Sequence, residues 1–229
     1  MTTTVLSIFD RVFELLNDQD QINYRPDQAL RWLSEAQTWI AGNRADASSS
    51  IQTVPLVRGT KQSIPLGSHH LIRLMRNMGS TGTAAGDGIG GPISLEMRGR
   101  INRSWHTATV TSTYKVEDYS YEMEVPAVYW VSPPVPSGIS HYVEAEFANN
   151  PTALTDINGN IGIADRYEGD LVTYVAMRFM SRDSELSPNF VRAQALQAQL
   201  ERTFGTRIVS DQMAFPNDKM MPGNKYGGG

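Results

Sequence analysis

Between residues 4 and 17 apolar side chains recur at helical spacing: Val5, Ile8, Phe9, Val12, Phe13, Leu15 and Leu16 fall on one broad face, with Asp10, Arg11 and Glu14 on the other. This pattern predicts an amphipathic helix. After the polar turn Asn17, Asp18, Gln19, Asp20, Pro26 stands where a helix accepts proline, in its first turn, and a second helix is predicted to about Gly42. Leu30, Leu33, Ala36, Gln37 and Ile40 keep its register, and Trp32 and Trp39 lie one heptad apart, a spacing that core packing explains. The short connection predicts that the two helices pack as an antiparallel hairpin.

The period changes at Ala47, Ser48, Ser49, Ser50. Residues 51–66 read as two strands joined at Arg58 and Gly59, with Gly59 supplying the positive φ of a hairpin turn and Pro55 marking an edge strand. Residues 71–78 read as a further extended segment. Residues 79–91 hold no large side chain except Ile89, which predicts a flexible surface loop. A short strand at 93–95 and a polar helical turn lead to Trp105 and His106. Strands are then predicted at 110–116, 119–125, 128–132 and 141–147, with Ser132, Pro133, Pro134 to Gly138 as a turn.

Helical spacing returns after Asp165. Asp165 and Glu168 stand at the two positions of a capping box, with Leu171, Val172, Val175, Phe179 and Met180 as the stripe behind them. Ser187 as cap and Pro188 at the first position open a last helix, with Val191, Leu196, Leu200 and Phe204 facing inward and Gly205 as its stop. The predicted fold class is α+β. Residues 1–47 and 165–205 form an antiparallel helical bundle, 48–164 an inserted β-rich domain of sandwich or barrel type, and 206–229 an extended C-terminal arm. In the arm, Phe215, Met220, Met221 and Tyr226 are scattered among Pro216, Pro222 and the closing Gly227, Gly228 and Gly229 with no period. Adaptable Met and aromatic side chains of this kind anchor contacts with a partner surface, and these four residues are the candidate interface.

Composition narrows the chemistry. In 229 residues there is no cysteine, which excludes disulfide scaffolds, zinc-thiolate sites, iron–sulfur clusters and thiol nucleophiles. Twenty Lys and Arg stand against 24 Asp and Glu, for a formal charge of −4, against the basic stripe of a nucleic-acid-binding domain. The first four residues lack the cationic start of a signal peptide, and no run approaches the roughly 18 apolar residues that cross a bilayer, so the expectation is a cytoplasmic product with no membrane partner.

Candidate chemical motifs fail on their own terms. The cluster Gly86, Gly88, Gly90, Gly91 lacks the spacing and following helix of a dinucleotide fingerprint, and no Walker lysine follows it. Asp156, Asn158 and Asn160 imitate the start of a calcium loop, but Ile161 holds the glycine position and Tyr167 the glutamate position, so turn chemistry explains them better. His69 and His70 are adjacent and point to opposite faces of a strand, while His106 and His141 belong to no metal or nucleophile motif. Glu144 and Glu146 share a strand face, as solvent-facing residues do. No catalytic residue, metal site or cofactor is predicted.

The order of short motifs is informative. Leu30, Arg31, Trp32, Leu33 in the helical hairpin precede the run from Val57 through Arg58, Gly59, Thr60, Lys61, Gln62, Ser63 and Ile64 to Pro65. Arg76, Asn77, Met78, Gly79 follow, then the Trp105 region, then Tyr129, Trp130, Val131, Ser132, Pro133, Pro134, and then a helix pair around residues 174–179 and 193–200. Over about residues 4–205 this layout resembles the head-to-tail adaptor, or head completion, proteins of short-tailed phages, with the glycine loop and the segment after 206 as departures. The resemblance implies a non-enzymatic virion protein, made in the host cytoplasm and built into the head–tail junction. It implies a ring, usually of twelve copies, seated beneath the portal protein and carrying the tail nozzle, through which double-stranded DNA passes without sequence-specific binding. The helical bundle would form the ring and the β domain would project toward the nozzle or neighbouring subunits. Two other readings stay open: a tail-associated β-domain module that binds glycan or receptor through Tyr129, Trp130 and Tyr142, and a wall-degrading hydrolase with two carboxylates at catalytic separation.

Overall fold

The computed structural model describes residues 3–20, 25–107, 113–182 and 187–214. They divide into a helical unit, residues 1–37, 153–161 and 165–229, and a β-rich unit, residues 38–152 and 162–164. With most of the helix in one unit and both antiparallel sheets in the other, the fold is α+β.

In the helical unit α1 spans Val5–Leu15, and the Thr4 hydroxyl caps it by accepting the Ser7 N–H at 3.2 Å. Val5, Ile8, Phe9, Val12 and Phe13 are buried as their spacing predicts. Leu15 is exposed, so the apolar face is narrower than the sequence suggests. The second helix, α2, spans Pro26–Asn43, with proline in the first turn. After the β-rich region come α4, Glu168–Met180, and α5, Pro188–Ala214. Ser187 caps α5 by accepting the Asn189 N–H at 3.1 Å.

The helix contacts run through α4. The close pairs are α1 with α4 and α4 with α5. Phe179 of α4 explains this, because it takes Phe13 of α1 at 6.1 Å on one side and Trp32 of α2, edge-on, at 4.5 Å on the other. Arg178 reaches Glu35 at 3.0 Å and Arg182 reaches Gln28 at 2.6 Å. Partner numbers fall along α4 as they rise along α2, so these two helices run antiparallel.

Three expectations at the C-terminal helices also change. The stop expected at Gly205 is absent, since α5 continues through it to Ala214, and the segment after 206 is therefore helical at its start. Val191 faces outward at 61% exposure, and Ala193, Leu200 and Phe204 hold the buried positions. The capping box does not form: a 3-10 turn at Asp165–Tyr167 precedes α4, and Tyr167 stands at the cap with no side-chain cap bond. Both carboxylates hold the N-terminal segment instead. Asp165 accepts the Thr3 N–H at 3.0 Å, and Glu168 pairs with Arg11 at 2.5 Å. The turn at Asp156 closes on its own chain, with Asp156 Oδ1 accepting the Asn158 N–H at 2.9 Å and Gly159 O accepting the Val5 N–H at 2.9 Å.

The β-rich unit holds two three-stranded antiparallel sheets. One has the order β1-β6-β3, from Ser49–Pro55, Tyr142–Asn149 and Ser68–Asn77. The other has the order β2-β5-β4, from Gly59–Ser63, Val128–Val135 and Asp118–Tyr121. Leu71, Leu74, Val143, Ala145 and Phe147 of the first sheet share one core with Tyr119, Tyr129, Val131 and Val135 of the second, and Leu56, Tyr114 and Val116 complete it. The short helix α3, Leu95–Ile101, is capped by Ser94.

Pro55 does lie on an edge strand, and Gly59 does adopt a positive φ of 94°. The two strands around them do not pair, however, because the chain crosses from one sheet to the other there. Buried Leu56 carries the crossing, and the Gln62 side chain replaces a strand partner for Val57, accepting its N–H at 2.7 Å and donating to its carbonyl at 2.8 Å. The turn expected at Pro133 and Pro134 is also displaced, since β5 runs through both to Val135. Proline fits there because β4 pairing ends at Asp118 opposite Ser132, and the β2 register shifts between Gly59 and Lys61. Of the strand expected at 110–116, residues 110–112 lie outside the described residues and 113–116 are not in a strand. The strand expected at 119–125 ends at Tyr121.

The segment 79–91 is exposed but tied to the sheets, which corrects its reading as a flexible loop. Gly86 N–H meets Asn77 O at 2.8 Å, Asn77 N–H meets Asp87 O at 2.9 Å, and Ile89 N–H meets Met75 O at 3.0 Å, all along the outer edge of β3. The chain then passes to β4, with Gly90 N–H on Glu117 O at 2.8 Å and Ile93 N–H on Tyr119 O at 2.8 Å. Small residues allow this course, as a Cβ on Gly90 would stand 3.1 Å from Glu117 O.

Candidate functional site

Phe215, Met220, Met221 and Tyr226, the four interface residues expected from sequence, lie outside the described residues. What the structure places are the chemical candidates and the exposed surfaces. Glu144 and Glu146 do share a face of β6, and each carboxylate is held by a guanidinium from β3: Arg76 Nε at 2.8 Å from Glu144 and Arg73 Nε at 2.9 Å from Glu146. That is a cross-strand ion-pair ladder on a half-exposed face.

The histidines separate into three environments. His69 and His70 come into edge-to-face contact at 4.7 Å, because the strand register slips between Ser68 and His70. The opposite-face reading of the pair therefore fails. Burial lowers the pKa of both, that of His70 to about 4, with the charge of His69 adding to the effect. His106 Nδ1 shares a hydrogen bond of 2.8 Å with the Thr60 hydroxyl. His141 is buried, which lowers its pKa, and its Nε2 lies 2.8 Å from Asn77 Oδ1. Among the described residues no three His, Asp or Glu side chains gather as a metal site.

Asn77 and Arg98 do more structural work than the sequence reveals. Asn77 Oδ1 accepts the Val116 N–H at 2.8 Å, so the His141 Nε2–H must donate to the same oxygen. Its Nδ2 donates to Val116 O at 2.9 Å and Asp87 O at 3.1 Å. This one amide joins the end of β3 to the glycine segment, to the chain before β4 and to His141. Buried Arg98 of α3 pairs with Asp118, donates to Ser120 Oγ at 3.0 Å and lies 5.0 Å from the Trp105 ring centre, which locks α3 to β4. In sequence Arg98 falls in a polar helical turn and Asn77 in a short motif, and neither position signals these bonds.

A ligand groove through Tyr129, Trp130 and Tyr142 is not formed. Tyr129 is 1% exposed in the core, where burial raises its hydroxyl pKa, and Trp130 alternates to the other face of β5. The half-buried Tyr142 ring packs near Gly82, where a Cβ would stand 3.1 Å from it.

The surface offers features of another kind. Ser49, Ile51 and Thr53 of β1 turn their backbone groups away from β6, as the bonds at Ser48 and Leu56 fix the alternation. Loop tips and α3 expose large apolar side chains, including Leu66, Met123 and Ile101. Open strand edges and exposed apolar tips are the equipment of a protein that assembles with other proteins. No described helix is long and apolar enough to cross a membrane.

These features are those of a structural assembly component. The family model described as SU10 adaptor protein matches residues 3–220, and the chain belongs to that family. It is a phage head-to-tail adaptor, a component of the virion, and proteins of this kind are typically non-enzymatic. No curated protein matches the chain.

Proposed function

We propose that this adaptor assembles as a closed ring, twelvefold as in the short-tailed phages it resembles, beneath the portal at the head–tail junction and carries the tail nozzle on its far side. The observation that carries the reading is the extent of the family match, which takes in both units from residue 3 to 220. Repeated side by side, one chain gives a heterologous contact that closes when the rotation per copy divides a full turn. The helical unit is the part assigned to the ring and the portal, and the β-rich unit to the nozzle or to neighbouring copies.

Charge supports a conduit. Twelve copies at −4 carry about 48 negative charges, and an acidic lumen repels phosphate and lets a duplex slide during genome ejection. Residues 215–229 serve as an arm that docks on the portal or an adjacent copy through Phe215, Met220, Met221 and Tyr226.

The test mixes the purified full chain with portal from the same phage and images the product by electron microscopy. Closed rings on the portal are expected, and persistent free monomers would overturn the reading. Removing 215–229, which leaves α5 whole, is expected to weaken portal binding by about tenfold. Unchanged binding would remove the arm from the account.

A further inference from the structure

Two exposed patches of the β-rich unit have complementary chemistry. The first lies on paired loop tips. The β2–β3 loop presents Leu66, fully exposed, and the β4–β5 loop presents Met123 at 67% exposure and Val125 beside it. The loops are bonded to each other through Ile64 N–H and Ala127 O at 3.1 Å, and each is closed on itself, by Ser68 N–H on Pro65 O at 3.1 Å and Val125 N–H on Glu122 O at 3.1 Å. Glu122 and Glu124 alternate with the apolar residues, and neither has an ion pair among the described residues. Between Lys115 and Arg166 the sequence contains no lysine or arginine, so the β4–β5 loop carries no cation of its own.

The second patch lies on α3 and the turn after it. Ile101 is 74% exposed, and Met97, one helical turn before it, is also exposed. Arg100 and Arg103 flank them. Arg100 has only the exposed Glu96 as partner, at 2.5 Å, and Arg103 has none among the described residues. The buried bonds of Arg98 to Asp118 and Ser120 fix this helix to β4, so the patch is held ready for a contact.

We propose that the loop tip of one copy docks on the α3 patch of the next, Leu66 and Met123 against Met97 and Ile101, with Glu122 and Glu124 facing Arg100 and Arg103. The occupant is a second copy of this chain because one chain carries both halves, apolar against apolar and acid against base. A tip meeting another tip would set glutamates against glutamates. Two different patches make the contact heterologous, the type that closes into rings. Flexible thioethers on both sides suit a joint that adapts during assembly. This inference deepens the ring reading and rests on it.

A cysteine-free chain gives a direct test. The full-length double variant Leu66→Cys with Ile101→Cys is built into virions and oxidised, with each single variant as control. A covalent ladder beyond the dimer is expected from the double variant only. Virions that contain the double variant yet give no ladder would overturn the proposal, whatever the geometry of the assembly. In parallel, E122K with E124K is expected to cut ring yield on the portal by about tenfold, and adding R100E with R103E is expected to restore it. Full ring formation by the charge-reversed variant would also count against the contact. Absence of rings from the wild-type chain would instead defeat the ring reading, and the virion ladder would still decide the contact.

Discussion

The β-rich unit treats its sheet edges in two ways. The outer edges of β3 and β4 are sealed by one passing segment, residues 86–93, which bonds first to Met75 and Asn77 and then to Glu117 and Tyr119. The outer edge of β1, seven residues long, has no backbone partner among the described residues. Charge does not blunt it either, for its outward residues are Ser49, Ile51, Thr53 and Pro55. The sealed side depends on small residues and one buried amide, whereas the open side depends on nothing beyond its own pairing with β6. Substitutions on the two sides should therefore differ sharply in effect.

The largest effect is expected at Asn77. Replacing it with leucine strands the Val116 N–H, the Val116 carbonyl and the His141 Nε2–H in a buried site, each worth ~1–3 kcal/mol. A total loss of ~3–5 kcal/mol is expected by chemical denaturation, with faster hydrogen exchange at Gly86 and Ile89 amides. A loss below ~1 kcal/mol would show that the amide is not what holds the segment.

Across the wider glycine segment, residues 79–91, the effect of substitution should vary by position. Gly82 has a φ of +75°, and a Cβ there would stand 3.1 Å from the Tyr142 ring, while Gly91 has nothing within 4 Å. Gly82→Ala is expected to cost ~1–2 kcal/mol and Gly91→Ala less than ~0.5 kcal/mol. Equal costs at both positions would mean that the Tyr142 ring does not constrain the chain at Gly82.

Acid should act on the sealed side as well. His141 sits on Asn77, and His69 and His70 stand at the start of β3, all with pKa values lowered by burial, that of His70 to about 4. In the unfolded chain these rings take up protons near pH 6.5, so between that pH and the folded values the unfolded state binds more protons. Stability is therefore full above about pH 6.5 and declines as pH falls toward 4. With the partial exposure of the His70 ring discounted, it contributes ~1 kcal/mol across that window. A His70→Gln variant should flatten the decline of the unfolding midpoint, and an unchanged pH profile would remove His70 as a source.

How much of this was legible in the sequence differs with the range of the interaction. Local signals held: Pro26 at a helix start, Ser187 and Pro188 opening α5, Gly59 at positive φ and Pro55 on an edge. Each depends on a residue's own backbone limits. Signals failed where a distant partner outbid a near one. Asp165 and Glu168 have capping-box spacing, but Thr3 and Arg11 take both carboxylates. Adjacent β1 and β2 read as a hairpin, yet their hydrogen-bond partners are the distant β6 and β5, with Ile51 opposite Glu146 and Ser63 opposite Val128. Gly205 carries a helix-stop preference of only ~1 kcal/mol, and α5 passes through it. The acid-apolar tip and the basic-apolar α3 face were invisible because neither has a period, and their complementarity depends on which side chains the fold leaves exposed.

The smallest effect is expected on the open edge. Ile51 is exposed on β1 opposite Glu146, with its backbone groups turned outward, so Ile51→Lys removes no buried contact and places a cation beside a carboxylate. Stability should change by less than ~0.5 kcal/mol. The same lysine blunts an edge that another strand could otherwise join. If assembly on the portal is unaffected as well, the β1 edge is simply tolerated, and the tip and α3 patches carry the contacts between copies. A defect in assembly without a change in unfolding midpoint would instead add the β1 edge to the surfaces that the ring uses. Measured side by side with Asn77→Leu, this variant separates what holds the unit together from what the unit leaves open.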